Sequence, residues 1–137
     1  MINNSDIIGK VHNSMYQQIK KSGVATPVQV LMDLDVLTVT DYKLWRLGAV
    51  DYLERVCNIN LHKLSFIMKH VRAYAGKNDL KPSFTFYKQW GRRVKSPAKK
   101  LRFSKTGDDT IERSYATHYI SGILKEEKKQ SVATDEE

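Results

Sequence analysis

The run from Asn60 to Gly76 constrains the fold more than any other stretch of the chain. Leu61, Leu64, Met68, Val71 and Ala75 recur at intervals of three and four, the spacing of one face of an α-helix. Asn60 ahead of them is a capping residue and Gly76 behind them is a stop. After Leu80-Lys81-Pro82 the period changes to two. Phe84, Phe86, Lys88 and Trp90 then share one strand face, with Thr85, Tyr87 and Gln89 on the other. Leu101 and Phe103 alternate with Arg102 and Ser104 as a second strand. Between the two lies Gly91 to Lys100, whose glycine and proline mark a loop. The expected unit is a helix followed by a β-hairpin over 84–105 with a long basic tip at 91–100.

Upstream, the pattern is helical and punctuated. Asn4 or Ser5 caps a helix carrying Ile8, Val11, Met15 and Ile19, which Ser22-Gly23 ends. Thr26-Pro27 starts a second helix with Val28, Leu31 and Met32 on its apolar side. Thr38 with Asp41 three residues later starts a third, bearing Tyr42, Leu44, Trp45 and Leu47 and ending at Gly48. Val50, Leu53, Val56 and Cys57 suggest one more short helix. Downstream, Thr106-Gly107-Asp108-Asp109 is a turn that supplies caps. Ile111, Tyr115, Tyr119 and Ile123 then recur every four residues and predict a final helix. The expected fold class is mainly α with a small β-hairpin (α+β). The expected organisation is one domain over 1–124 followed by a charged, mobile tail over 125–137, where Val132 is the only large apolar residue.

Charge is distributed unevenly over this frame. Between His62 and Lys105 stand thirteen positive residues and one acid, Asp79, a local balance of +12. The whole chain carries +8, so the remainder sums to −4. Like charges crowded into one third of a domain repel one another and add nothing to its stability. They call for a negative partner outside the chain, and phosphate is the commonest one. Solubility is the plainer explanation of surface lysines. No apolar run approaches the roughly 20 residues of a membrane span, no secretory pattern opens the chain, and Cys57 has no cysteine to pair with. Together these point to the cytoplasm and away from a membrane.

Several short helices, a capped longer helix, then a hairpin with a basic tip form an order that resembles winged helix-turn-helix nucleic-acid-binding modules, from Thr38 to Lys105. The resemblance implies that the helix before the hairpin enters the DNA major groove while the tip meets backbone or minor groove. It places Asn60, His62, Lys63, Phe66, Lys69 and His70 on the groove-facing side of the helix. Arg92, Arg93, Lys95, Lys99 and Lys100 become the wing, with Arg102 beside them. Two departures stand out: no strand is evident before the third helix, and the reading face lacks a Gln or Arg for bidentate base contacts.

Other chemistry is sparse. Aromatics interleaved with cations over 84–93 could stack unpaired bases. The competing reading has Phe84 and Phe86 covering the helices, with Tyr87 the more open case. Phe66, in the middle of the basic helix side, is expected to be packed over. His12, His62, His70 and His118 show no metal-ligand spacing with one another or with Cys57. Asp108, Asp109 and Glu112 could hold a metal for phosphodiester cleavage, but helix capping accounts for them more simply. No cofactor is implied. The sequence therefore predicts a non-catalytic nucleic-acid-binding protein, DNA before RNA, with docking on an acidic protein partner as the rival. The nucleic-acid-contacting residues are expected to be His62, Lys63, Lys69, His70, Arg92, Arg93, Lys95, Lys99, Lys100 and Arg102.

Overall fold

The caps anticipated in the sequence set most of the helix starts in the computed structural model, which describes residues 3–91 and 100–122. Helix α1 spans Asn4–Ser22, with Asn3 as its cap: the Asn3 side chain accepts from Asp6 N at 2.9 Å. It buries Ile7, Val11 and Met15, so the stripe begins one residue earlier than Ile8. Gly23 ends it at φ +78°, a conformation that glycine alone adopts without strain. Strand β1 (Val24–Ala25) follows, then α2 (Pro27–Asp33), capped by Thr26 Oγ1 accepting from Gln29 N. Helix α3 (Val39–Arg46) is capped by Thr38 and buries Trp45 completely. The chain reverses at Gly48, φ +82°, where an added Cβ would fall 2.5 Å from Gln89 Nε2. Leu53–Val56 is a single 3₁₀ turn rather than an α-helix.

Helix α4 (Leu61–Lys77) is the element that the apolar stripe defined. Asn60 Oδ1 accepts from Lys63 N at 2.8 Å, and Leu64, Ile67, Met68, Val71 and Ala75 are buried. It runs one residue past Gly76; the reversal is made by Asn78 as cap and Asp79 at φ +53°. Asx side chains tolerate that region better than most. Helix α1 lies along α4, with the His12 and Tyr74 rings 5.4 Å apart between them.

The sheet differs from the expected hairpin. Strand β2 (Lys81–Phe84) pairs antiparallel with β3 (Thr117–Ile120), in register from Lys81↔Ile120 to Phe84↔Thr117. Strand β3 pairs on its other side with β1, Val24↔Ile120, giving the order β1-β3-β2. Of the hairpin over 84–105, the described residues keep an isolated bridge, Lys88–Lys100, and Leu101 N→Tyr87 O at 2.8 Å. Residues 101–104 instead thread into the core. Arg102 O accepts from Trp45 Nε1 and from Leu53 N, while Phe103 O accepts from Glu54 N. The alternation in Leu101–Ser104 was real, but it reflects burial of Phe103 among Trp45, Tyr87 and Tyr115 rather than strand pairing.

The final helix is shorter than its four-residue period implied. Helix α5 covers Asp109–Ala116, capped by Asp108, and the chain then turns directly into β3. Ile111 is exposed, Tyr115 is buried from the helix, and Tyr119 is buried from the strand; Ile123 and the tail over 125–137 fall outside the described residues. The architecture is thus mainly helical with a small three-stranded antiparallel sheet, an α+β fold.

Candidate functional site

Four of the sequence-selected residues lie on α4, and the structure divides them between two faces. His62 and Lys69 are exposed, on a solvent face shared with Ser65, Arg72, Ala73 and Gly76. Lys63 and His70 are half-buried: Lys63 Nζ reaches Asn4 Oδ1 on α1 at 3.4 Å, and the His70 ring lies 4.5 Å from that of Phe66. Phe66 is itself packed against the core. Desolvation holds the His70 imidazole below its ordinary pKa, with Lys69 and His12 adding repulsion. The outward face is therefore rotated from the expected groove-facing set and includes Arg72 at its edge.

Arg92, Arg93, Lys95 and Lys99 lie outside the described residues. Lys100 is exposed, its Nζ 4.1 Å from the Phe86 ring centre. Arg102 is exposed at its side chain, over the Tyr52 ring at 5.2 Å, while its carbonyl is tied into the core.

Three cations that no motif singled out line one groove between α4 and α5. Arg72, Lys105 and Arg113 line a groove of about 630 Å³ together with hydroxyls such as Ser65 and Thr110. Arg72 was findable, since it follows Lys69 by three residues on one helix face. Arg113 was not, because its approach to α4 depends on how α5 docks. Glu54 is the acid at this groove, and both its oxygens are occupied, accepting from Lys105 N and from the Tyr115 hydroxyl. Burial, with Glu54 alongside, pushes the Tyr115 phenol well above its ordinary range. Arg113 pairs with Asp109 at 3.2 Å. Among the described residues no carboxylate oxygen lies within 4.0 Å of the side-chain nitrogens of Lys69, Arg72, Lys77, Lys100, Arg102 or Lys105.

A row of aromatics reverses the expected division. Phe84, Phe86 and Trp90 are 45, 51 and 44 % exposed, whereas Tyr87 is buried against Trp45 and Phe103. Each exposed ring carries a cation on its face: Arg113 on Phe84, Lys100 on Phe86 and Arg46 on Trp90. These rings cover the helices only in part: Trp90 meets Tyr42 and Arg46 of α3 and Phe84 meets Arg113 of α5, yet all three stay exposed.

The acidic cluster has structural work. Asp108 caps α5, Asp109 pairs with Arg113, and Glu112 accepts from Phe103 N, Ser104 N and Ser104 Oγ. No group of three or more His, Cys, Asp or Glu is placed to hold a metal among the described residues. Burial pushes the Cys57 thiol up to about 12, helped by Glu54 and Asp41. It is therefore protonated near neutral pH and a poor nucleophile.

No protein-family model, curated protein or solved structure matches this chain. Among the described residues, no helix is long and apolar enough to cross a membrane. The functional reading therefore rests on the chain's own geometry.

Proposed function

We propose that this protein binds nucleic acid without acting on it chemically, using the solvent face of α4, the groove cations beside it and the basic segment 91–100. One observation carries the reading. Cations on the α4 face and at its groove, Lys69, Arg72, Lys77 and Lys105, are exposed without an acidic partner among the described residues. Phosphate is the charge that such a surface takes, through release of condensed counterions.

DNA is favoured over RNA by the shape of the element. An α-helix enters the B-form major groove, whereas the A-form major groove is too deep and narrow for side chains to read. On α4 the small residues Ser65, Ala73 and Gly76 share the exposed face with the longer Lys69 and Arg72, so the helix axis can come close to a duplex. Arg72 supplies the fork suited to a guanine edge that His62, Lys63 and Lys69 lack. The resemblance to winged helix-turn-helix modules draws support from α4 leading into β2 and from β1, a strand ahead of α2. The connection from β2 to β3 carries α5 and a buried segment, which is more than a simple wing. A rival nucleic-acid mode is favoured by the cation-capped rings Phe84, Phe86 and Trp90, which suit stacking on unpaired bases.

The test is a gel-shift series with duplex DNA, single-stranded DNA and structured RNA at two salt concentrations. Tightest binding to duplex, weakened by salt and by Lys69→Ala/Arg72→Ala/Lys105→Ala together, is expected. Tightest binding to single strands would move the interface to the aromatic row. Absence of binding to all three at low salt would refute the proposal and leave an acidic protein as the partner to seek.

A further inference from the structure

A second cleft lies on the other side of β3. Side chains alternate along a strand: Thr117 and Tyr119 line the α4–α5 groove, and His118 lines a cleft of about 420 Å³ bounded by α2, α3 and residues 85–87. That volume is within the ~300–1,000 Å³ of small-molecule sites. Val28, Met32 and Phe86 give the cleft an apolar side, while Arg46, His118 and Tyr87 give it a polar one. The Tyr87 hydroxyl and His118 Nε2 are bonded to each other at 3.0 Å.

Arg46 is the group with unmet needs. Its guanidinium carbon sits 5.0 Å from the Tyr87 ring centre and 4.2 Å from that of Trp90. Its Nε is shut off from solvent and has no hydrogen-bond partner among the described residues. No carboxylate lies within 4.0 Å of it among the described residues. The rings spread the cation's field but accept no strong hydrogen bond. A buried donor left unpaired is destabilising, and native proteins rarely keep one without a reason. The guanidinium fork matches a carboxylate or phosphate, with two parallel N–H bonds available to either.

We infer that this cleft binds a small organic anion, its carboxylate or phosphate on Arg46 and its apolar body against Val28, Met32 and Phe86. Of the groove cations Arg72, Lys105 and Arg113, none lines it, so the inference stands apart from the nucleic-acid reading.

The experiment titrates the ¹⁵N-labelled full chain separately with inorganic phosphate, benzoate and adenosine 5′-monophosphate, following the Arg46 Nε–H and the His118 ring resonances. Saturable shifts at both residues are expected with benzoate or the nucleotide, with a Kd below about 1 mM. Benzoate or the nucleotide as the tighter ligand distinguishes the carboxylate from the phosphate source. Arg46→Met keeps the stem over the rings and should weaken binding at least about tenfold. Arg46→Lys keeps the charge without the fork and should weaken it as well, which covers the case in which the Met variant fails to fold. Response to none of the three, response to inorganic phosphate alone, or undiminished binding by a folded Arg46 variant would overturn the inference.

Discussion

Trp45 shows how one side chain can join the two halves of the chain. It is fully buried on α3, its indole 5.6 Å from the Tyr87 ring and 5.0 Å from Phe103, with Nε1 donating to Arg102 O. Trp45→Ala is expected to cost roughly 3–5 kcal/mol in denaturant melts. In a Trp90→Phe background, Trp45 emission should be blue-shifted and resistant to aqueous quenchers. Free quenching would contradict its placement. His118 offers a pH test. Burial lowers its pKa below the ordinary 6.5. The unfolded state therefore binds the proton more readily, and stability falls as pH drops from about 6.5 toward the lower folded value. His70 is depressed as well and adds to the same window. Urea melts at several pH values should show this slope, and His118→Gln should flatten part of it. An unchanged slope would assign the effect elsewhere.

At the scale of elements, what was legible is what local rules decide. Thr26, Thr38, Asn60 and Asp108 all cap helices, because a cap is satisfied by groups three residues away. The α4 stripe was legible for the same reason, and Leu64 and Met68 are 1 and 4 % exposed. Leu64→Ala or Met68→Ala should cost roughly 2–5 kcal/mol, read from thermal or urea melts. Strand partnership was not legible, because nothing local distinguishes pairing between 84–90 and 101–103 from pairing between 81–84 and 117–120. The repeat Ile111, Tyr115, Tyr119 misled for a physical reason: two tyrosines four apart are buried whether the second sits on a helix or on the middle strand of a sheet. Glu112 is the hinge of this region. Its carboxylate satisfies Phe103 N and Ser104 N, which thread into the core. Glu112→Ala should cost roughly 1–3 kcal/mol for each donor left unpaired, measured by urea denaturation. A neutral outcome would mean that water replaces the carboxylate.

Over the whole molecule, the charge asymmetry was legible in the sequence, and its arrangement in space was not. Counting residues locates +12 between His62 and Lys105. It cannot say that Lys63 reaches Asn4 on α1, that the His70 ring meets Phe66, or that Arg113 of α5 and Arg72 of α4 line one groove. Those facts depend on helix docking, which composition does not encode. The segment 91–100 supplies the sharpest test of the asymmetry, since Arg92, Arg93, Lys95, Lys99 and Lys100 have no acid between them in sequence. If each meets a phosphate, replacing all five by Ala or Ser removes up to five released counterions. The logarithmic salt slope for duplex DNA should then become shallower by up to about 4–5 units. Phosphate contacts carry no direct sequence information, so the loss should be similar across targets. Substitution of His62, Lys69 or Arg72 on α4 should instead change the preference among sequences. The measurement is a titration at several salt concentrations, with circular dichroism confirming an intact fold. An unchanged slope in the five-site variant would remove the segment from the interface and leave the α4 face and its groove to carry the binding.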